Sequence, residues 1–419
     1  MGRDKSKHHC MVVFNQYPLG ETRVQREAEA LLRAGYAVDV ICKRHPGEPA
    51  VDTYKGVVIH RLKFHFPVPR SKAESLRQKL LDYLRFFLSA FIKINQLHAR
   101  QPYRSVQVHN LPDFLVFCSL IQKLQGIPII LDLHDLMPEF FNGRFGSGHS
   151  RIIKLICWQE RVSCRFADHV ITVSEHWRKA LIGRGVPVEK CSVLMNVADE
   201  HVFHPIDDRQ ECTTRGNGFK LIYHGGMWHR YGIDLLVQAV DQLRSSIPGL
   251  HLTLAGQGDF LPDLFRMIEQ ANLQEYVTLV PKRQAEELPA VILGCDLAVV
   301  PYRADVFTDS LLPTKLMEYA ALGMPAVASR TTAIEATFTD TNCEFFTPDD
   351  VRDLARCILH LYQHPERRTE LALGSRKFNQ RYNWAELSAG YVSLVDNLGG
   401  HGKRARVAQK PSKTENNPG

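Results

Sequence analysis

Residues 308–330 read TDSLLPTKLMEYAALGMPAVASR, and this stretch decides the fold class. It begins in a polar loop after an apolar strand-like run at 296–301, passes through an apolar helix that Gly323 closes, and ends in a second strand-like run. The order strand, loop, helix, strand predicts a unit of a parallel sheet, whose ligands lie at the carboxyl ends of the strands. The amino end of this helix therefore faces the ligand side, where its unpaired N–H groups favour an anion.

Two charged side chains on the predicted helix are candidate ligand contacts. Lys315 lies in the first turn, where the helix dipole disfavours a cation, so we expect a negative group beside it. Glu318 lies one turn further on among apolar neighbours, where a carboxylate needs partners. A nucleotide diphosphate would satisfy both, with Lys315 and backbone donors at the phosphates and Glu318 at the ribose hydroxyls. Helix capping and a solvated carboxylate are the alternatives.

The size and composition indicate a soluble protein with more than one domain. A chain of 419 residues can form two full cores, and 44% apolar and 23% charged residues are ordinary values. There is no apolar run of the roughly 20 residues that a membrane span needs, and no signal peptide opens the chain. The ten cysteines contain no C-x-x-C pair, so we expect free thiols in the cytoplasm.

The basic residues are concentrated in one internal segment. Residues 61–104 hold ten Lys and Arg against Glu74 and Asp82, and they are rich in aromatic side chains. Such a surface could make a peripheral contact with anionic lipid. The alternative is the core stripe of a long helix with solvated charges opposite it, and both can hold for one helix. This stripe would consist of Leu76, Leu80, Leu84, Phe87, Phe91 and Ile94. Nucleic acid is not expected as a partner, because no recognised binding motif accompanies the segment.

Strand-like and helical patterns alternate in two series along the chain. This alternation predicts two α/β domains, each a doubly wound, Rossmann-like parallel sheet covered by helices. We place the first domain at residues 1–204, a polar linker at 205–218 and the second domain at 219–380. A C-terminal helix at 381–398 could cross back to the first domain, and a basic tail at 399–419 is predicted to be disordered. The cleft between the two domains is the expected ligand site.

Ordered motifs across both halves resemble one enzyme family, the retaining glycosyltransferases of family 4. The likeness covers roughly residues 10–395, and several motifs in order are far more specific than any one of them. The motifs are NQYPLGETRVQREAEALLRAGYAVDVIC (15–42), LDLHDLMPEF (131–140), ITVSEHWRKAL (171–181), LIYHGGMWHRYGIDLL (221–236), LTLAGQGDFLPDL (252–264) and VVPYRADVFTDSLLPTKLMEYAALGMPAVASR (299–330).

The resemblance implies the GT-B fold, with two Rossmann-like domains facing a central cleft. It implies that a nucleotide-diphospho-sugar binds mainly to the second domain, that the acceptor, a saccharide or lipid-linked, binds to the first, and that transfer retains the anomeric configuration. It points to surface polysaccharide or glycoconjugate synthesis at the inner face of the cytoplasmic membrane. No cofactor is expected. No metal is expected either, because no D-x-D motif stands out and Asp132 and Asp135 do not form one.

The sequence departs from the common family pattern at two places. The family has two glutamates separated by seven residues; here Glu318 is the second, but Ser310 takes the first position and Asp309 precedes it. The arginine and lysine that hold the donor phosphates in the family are replaced by Gly226 and Tyr231. We therefore expect Arg230, next to this loop, to supply phosphate charge together with Lys315.

These arguments give three sets of candidate residues. For each residue a structural role is the alternative: a surface arginine for Arg230, a core histidine for His109, and a loop or cap for Asp309 or Ser310. The catalytic candidates are His109, Arg230, Lys315 and Asp309. The donor-binding candidates are Gly225, Gly226, Arg230, Gly256, Gly258, Ser310, Leu311, Leu312, Thr314, Lys315 and Glu318. The acceptor-side candidates are Gly20, Arg23, His134, Asp135 and Glu139.

Two other functions stay open at this point. A nucleotide-sugar 2-epimerase shares the fold and would consume the donor without an acceptor. A non-catalytic sugar-nucleotide-binding protein is a different class, and the serine at position 310 keeps it open. A turnover assay with mixed acceptors separates the three.

Overall fold

The computed structural model of the protein describes residues 7–19, 21–63, 72–145, 150–204 and 218–407. Gly20 and all but the last residue of the predicted linker at 205–218 lie outside these ranges. The described residues form two α/β domains, each built on its own sheet. This confirms the predicted fold class of two Rossmann-like domains.

The first domain contains an eight-stranded sheet in the order β3-β4-β2-β1-β5-β6-β7-β8. Every neighbouring pair is parallel except β3 and β4, which are antiparallel. The edge strand β3 was not predicted, because its exposed, alternating residues carry no apolar run. The strands are β1 (His8–Val13), β2 (Ala37–Arg44), β3 (Val51–Tyr54), β4 (Val57–Lys63), β5 (Ser105–His109), β6 (Ile129–Leu133), β7 (His169–Thr172) and β8 (Cys191–Val193).

Helices cover both faces of this sheet, as a buried parallel sheet requires. The segment Asp113–Ser119 is a 3₁₀ helix that runs directly into α3. The helices are α1 (Thr22–Arg33), α2 (Lys72–Arg100), α3 (Leu120–Leu124), α4 (Met137–Phe145), α5 (Ser150–Phe166) and α6 (Glu175–Gly183).

The second domain contains a six-stranded, fully parallel sheet in the order β11-β10-β9-β12-β13-β14. Its strands are β9 (Phe219–Gly226), β10 (Leu250–Gln257), β11 (Val277–Val280), β12 (Leu297–Val300), β13 (Ala326–Ser329) and β14 (Glu344–Phe346). Its helices are α7 (Ile233–Leu243), α8 (Leu261–Gln270), α9 (Leu288–Leu293), α10 (Thr314–Ala321), α11 (Thr332–Glu335), α12 (Val351–Gln363) and α13 (Pro365–Arg381).

The last helix, α14 (Trp384–Val407), follows the second domain in sequence but packs on the first. The Tyr391 hydroxyl donates to Gln107 on β5 at 2.6 Å, and the Tyr36 hydroxyl donates to Asp396 at 2.7 Å. The helix runs through residues 399–407, so the prediction of a disordered tail from residue 399 was wrong for that part. Residues 408–419 lie outside the described ranges.

Helix α2 buries the predicted stripe only in part. Ile94 is buried, and Phe87 and Phe91 pack against the core, as predicted. The prediction was wrong at Leu80 and Leu84, which are exposed, because apolar residues occur on almost every side of this helix and its periodicity does not select one stripe. No helix in the described part of the chain combines the length and hydropathy that a bilayer-spanning segment needs.

Candidate active site

Strand order fixes where each sheet can bind a ligand. In the second domain the order reverses between β9 and β12, and in the first domain between β1 and β5. At such a switch point the connecting loops part and leave a crevice at the carboxyl ends of the strands. The predicted motif at 308–330 lies at the β9/β12 crevice, since α10 follows β12.

Glycines let the carboxyl ends of β9 and β10 approach each other closely. Gly225 has a backbone φ of +110°, which L side chains rarely adopt. A Cβ on Gly256 would lie 1.9 Å from the carbonyl oxygen of Gly225, and a Cβ on Gly258 would lie 2.1 Å from that of Met227. These positions therefore require glycine. Together they form a stretch of backbone at the ends of β9 and β10 that we call the glycine cradle (residues 225–226 and 256–258).

A cavity of about 680 Å³ opens over the glycine cradle. This volume is in the range of pockets that hold small molecules and nucleotides. Its lining combines backbone donors with basic side chains from the loop after β11. The lining residues are His224, Gly225, Gly226, Trp228, Ala255, Gly256, Gln257, Gly258, Asp259, Leu261, Lys282, Arg283 and Leu288.

Lys315 lies directly behind the cradle in a cage of tyrosines. Its ammonium donates to the Tyr223 hydroxyl at 2.7 Å, and a Cβ on Gly225 would lie 3.3 Å from its Nζ. The nitrogen also lies 5.1 Å from the Tyr231 ring centroid and 5.2 Å from that of Tyr302. Burial lowers the pKa of Lys315 to about 7, although Glu318 opposes this shift. Since no carboxylate forms an ion pair with it among the described residues, an anion in the cradle would favour its charged form.

Glu318 is held in place by a residue that the sequence analysis missed. The Tyr319 hydroxyl accepts from the backbone N–H of His224 and lies 2.8 Å from its Nδ1, while Nε2 lies 2.6 Å from a Glu318 carboxylate oxygen. The hydroxyl therefore donates to Nδ1, and protonated Nε2 donates to Glu318. His224 lies near the carboxyl end of β9, at the ligand edge of the sheet, and this position after an apolar run is the sequence signal that could have identified it.

The amino end of α10 is open for a ligand. Thr314, its first residue, is exposed, and no side chain among the described residues caps this end. Leu311 and Leu312 are half-buried and pack against the core, which fixes the approach of the chain to the helix. The first N–H groups of α10 thus remain oriented towards the cleft, as the sequence predicted for an anion site.

Arg230 lies beside this site rather than in it. Its guanidinium lies 5.1 Å from the Phe307 ring centroid, and its Nε is 3.9 Å from Asp305. It lines a second cavity of about 470 Å³, which shares Trp228 and Asp259 with the cavity over the cradle. The structure therefore brings Lys315, Glu318 and the cradle together and places Arg230 at the adjoining opening.

Asp309 and Ser310 both form internal contacts. The two Asp309 carboxylate oxygens accept from the backbone N–H and the hydroxyl of Thr332, at 2.9 and 2.7 Å, at the start of α11. The Ser310 hydroxyl is buried and donates to the carbonyl of Phe307 at 2.9 Å. This geometry supports the loop and capping alternative, and neither side chain supplies the family's first carboxylate in this conformation.

In the first domain, the predicted histidines meet at the carboxyl edge of the sheet. Nδ1 of His109 lies 3.1 Å from Asp132 and 3.0 Å from Nε2 of His134, which is also 3.2 Å from Asp132. His109 is fully buried, and burial lowers its pKa. In this conformation His109 has no surface in the cleft, and His134 is the histidine that is partly exposed there.

Arg23 does not face the cleft as predicted. It is buried and makes a bidentate pair with Asp132 at 2.9 and 3.0 Å, with Glu27 behind it at 3.1 Å. Burial would raise the pKa of Asp132, but the charges of Arg23 and His134 hold it well below its usual range. Instead of the predicted acceptor contact, Arg23 makes an internal ion pair that joins α1 to β6.

The two remaining acceptor-side candidates differ in their environment. Glu139 forms an ion pair with Arg184, which also binds Glu160 at 2.8 Å, so Glu139 joins α4 to the core of its own domain. Asp135 lies at the cleft, where burial raises its pKa to about 6, and its charge acts on Tyr231 of the second domain. Asp135 therefore remains a candidate for acceptor contact, whereas Glu139 has a structural partner.

One group of residues in this region has the composition of a metal site. The candidate ligand atoms of His109, Asp132 and His134 lie within 4.8 Å of one another. Both Asp132 oxygens are already bound by the Arg23 guanidinium, and a cation beside a cation is unfavourable. The donor set therefore fits an ionic network better than it fits a metal ion.

Comparison with known protein families agrees with this architecture. Residues 20–196 match the family model for the glycosyl transferase 4-like domain, and residues 218–364 match that for glycosyl transferases group 1. The two matches are consecutive and together span most of both domains. The chain is a GT-B glycosyltransferase.

Curated relatives of this glycosyltransferase are distant in sequence. It is 25% identical over 274 residues to the colanic acid biosynthesis glycosyl transferase WcaI of Escherichia coli K12, a match over 62% of this chain and 65%, just under two thirds, of that protein. It is 23% identical over 392 residues to the D-inositol 3-phosphate glycosyltransferase of Paenarthrobacter aurescens, covering 87% of this chain and 90% of that protein.

Solved structures show the same fold. The sucrose-phosphate synthase of Thermosynechococcus elongatus superposes with a TM-score of 0.74 at 18% identity, over 94% of this chain and all of the other. HepE of Anabaena, in complex with UDP, superposes with a TM-score of 0.68 at 16% identity, over 93% of this chain and all of the other. At these identities the likeness concerns the fold alone.

Proposed function

We propose that the glycosyltransferase moves a sugar from a nucleotide-diphospho-sugar to a saccharide or lipid-linked acceptor. One observation carries the proposal: the glycine cradle, caged Lys315, the open amino end of α10 and Glu318 converge at the β9/β12 crevice. Together they supply backbone donors and a cation for a diphosphate and an oriented carboxylate for ribose hydroxyls. A nucleotide-sugar donor is also what HepE holds in a complex with UDP-glucose.

The leaving group of the reaction determines which charge the site must stabilise. Cleavage of the glycosidic bond puts negative charge on the departing nucleoside diphosphate, and groups that stabilise this charge accelerate the step. Lys315 and the α10 amides would do so at the cradle, with Arg230 at the adjoining opening. These groups would carry out, without a metal, the neutralisation that a divalent cation provides in other transferases.

We propose that transfer retains the anomeric configuration by front-face displacement. In this route the departing phosphate oxygen takes the proton of the acceptor hydroxyl, so no covalent nucleophile is needed. Of the candidates for a nucleophile near the donor, Asp309 is bonded to Thr332 of α11 and Ser310 is bonded within its own loop. The acceptor would enter from the first domain, past His134 and Asp135.

We place this reaction in surface polysaccharide or glycoconjugate synthesis. The relatives WcaI and AmsK of Erwinia amylovora bear names of polysaccharide biosynthesis, and the AmsK match covers 52% of this chain and 54% of that protein. The acceptor would be met in the cytoplasm, at the inner face of the cytoplasmic membrane, and the basic segment 61–104 would contact anionic lipid.

The decisive experiment is a panel of nucleotide sugars, tested first for thermal stabilisation and then for turnover with mixed acceptors. A bound donor raises the apparent stability, so the best donor gives the largest shift. We expect release of nucleoside diphosphate that depends on an acceptor. Donor consumption without an acceptor would indicate a 2-epimerase, and a thermal shift without turnover would indicate a binding protein.

A further inference from the structure

Exposed apolar side chains are concentrated on one part of the first domain. Of the eighteen large apolar side chains that are exposed in the described residues, eleven lie on three helices. Single exposed apolar residues are normal on a protein surface, whereas a contiguous group indicates a binding surface. They are Leu80, Leu81, Leu84, Leu88 and Ile92 on α2, Leu120, Ile121 and Leu124 on α3, and Ile152, Leu155 and Trp158 on α5.

These three helices share one side of the sheet. Both α2 and α5 pack against the 3₁₀ helix Asp113–Ser119, and α3 continues that helix. Phe87 of α2 contacts Phe114, and Phe166 of α5 lies 4.9 Å from Phe117, so rings from both sides enclose the 3₁₀ helix. The outer surfaces of α2, α3 and α5 therefore lie next to one another, and we call them the α2–α5 face.

The charges on this face are mostly positive. Helix α5 exposes Arg151, Lys154, Arg161 and Arg165, and its one acid, Glu160, is buried in the pair with Arg184. Helix α2 exposes Lys79 and Arg85, and its Asp82 lies within ion-pair distance of Arg85. Apolar side chains surrounded by Lys and Arg are typical of helices that lie in the interface of an anionic bilayer.

The position of the face relative to the cleft adds a second argument. Helices α2 and α5 lead into the parallel strands β5 and β7, so each begins at the cleft edge of the sheet and runs away from it. Leu80 and Leu84 of α2 and Ile152 and Leu155 of α5 lie in the amino-terminal halves of their helices, and Trp158 lies in the middle of α5. The exposed apolar residues of the face therefore extend to the cleft mouth.

We propose that the α2–α5 face rests on an anionic lipid bilayer, with Trp158 inserted at the interface. The proposal deepens the proposed function, on which it rests, because it sets the cleft mouth beside the membrane from which a lipid-linked acceptor would enter. Trp158 is 59% exposed, and an amphipathic indole is well suited to the boundary between head groups and acyl chains.

Vesicle flotation tests the surface directly. The probes are vesicles of phosphatidylcholine alone and of phosphatidylcholine with phosphatidylglycerol in equal parts, at low and high salt. We expect the full chain to float with the anionic vesicles at low salt and to be released by high salt, because screening weakens surface charge interactions. Absence of flotation with anionic vesicles, or equal flotation with neutral vesicles, would overturn the proposal.

Matched variants locate the contact. The double variant Leu155→Gln/Trp158→Gln should lose vesicle binding, and Lys154→Gln/Arg161→Gln should weaken it by about fivefold per residue. Phe265→Gln and Leu373→Gln are the controls, since these side chains of the second domain are 53% and 52% exposed. Binding of the α5 variants at the wild-type level would contradict the assignment of this face.

Fluorescence quenching identifies the inserted side chain. Vesicles with brominated acyl chains should quench the tryptophan emission of the wild type, and Trp158→Phe should remove most of that quenching. Trp177 and Trp384 are buried, and Trp228 lies in the second domain. Donor binding is measured on the same variants. Retained donor binding without flotation overturns this inference and the lipid contact of segment 61–104 but leaves the transfer reaction standing, whereas absence of donor binding by the wild type overturns the proposed function.

Discussion

Buried charged side chains at the two edges of the cleft differ in whether the fold provides them with an ion-pair partner. In the first domain, Arg23 and Asp132 form a buried bidentate pair beside Glu27, and Gln107 links Glu27 to the last helix. In the second domain, Lys315 is equally buried but has aromatic rings and a hydroxyl around it. A buried charge that the fold itself pairs serves stability, whereas a buried charge without such a pair indicates a ligand.

The largest effect on stability should come from removing one partner of the Arg23–Asp132 ion pair in the first domain. Asp132→Asn would leave Arg23 without its bidentate partner in a buried site, which costs about 3–5 kcal/mol. We expect a loss of this size in the free energy of unfolding from denaturant titration. Asp263→Asn, which removes an exposed partner of Arg266, should cost less than about 1 kcal/mol. Equal stability of the two variants would mean that the network is not structural.

A substitution of Lys315, at the second-domain edge of the cleft, should change the affinity for the donor rather than the stability of the fold. Lys315→Met removes a cation that the native fold disfavours, so the unfolding free energy should stay the same or rise. Affinity for a nucleotide-diphospho-sugar should fall by about 10- to 100-fold, the value of a charged hydrogen bond. Calorimetry measures this affinity, and Lys220→Met, at an exposed position of β9, is the control. Unchanged affinity would remove Lys315 from the donor site.

A smaller loss is expected at the carboxylate. Glu318→Ala should reduce donor affinity by about tenfold with the fold intact, because one oriented acceptor of the ribose hydroxyls is lost. His224→Ala should give part of the same loss, since His224 orients that carboxylate. The variant pair is compared by calorimetry with a nucleotide sugar and with the free base. An equal loss for the free base would argue against ribose contact.

The smallest expected effect is the pH dependence of donor affinity, which should come from Lys315 at the second-domain edge. Burial lowers the pKa of Lys315 to about 7, and a bound diphosphate would raise it again. Binding would then take up a proton above pH 7, and affinity should fall by up to about tenfold per pH unit. Below pH 7 the affinity should not change with pH. Lys315→Met should abolish the slope, and a slope that persists would point to another group.

The stability of the free protein should change with pH in the opposite direction to its affinity for the donor. The unfolded chain keeps Lys315 protonated up to about pH 10.4, whereas the free native protein loses that proton near pH 7. The unfolded state therefore binds more protons between these values. The contribution of Lys315 to the unfolding free energy should rise over this range of pH.

The fold class could be predicted from the sequence because a parallel sheet covered by helices requires a regular alternation of strand and helix patterns along the chain. Apolar runs separated by helical patterns predicted seven of the eight strands in the first sheet. The edge strand β3 was not predicted, since it lacks an apolar run, and the buried face of α2 was predicted only in part, since this helix has apolar residues on several sides. Local patterns identify an element more reliably than they identify its buried face.

The site was predicted where its residues are close in sequence and missed where they are not. Lys315 and Glu318 share one helix, and the cradle glycines follow two strands. Arg23 pairs with Asp132, 109 positions away, and no local pattern shows such a pair. Asp309 was ambiguous for the same reason, because its partner Thr332 belongs to a later helix.

The return of α14 to the first domain has a consequence for how the protein is made. Lys7, next to the first strand, lies 3.2 Å from Asp396 on α14, and Tyr36 and Arg104 approach the same residue. Synthesis on the ribosome is vectorial, and domains near the start usually fold first. Here the contacts of the first domain are complete only after α14 has been synthesised, which is after the whole second domain has been synthesised.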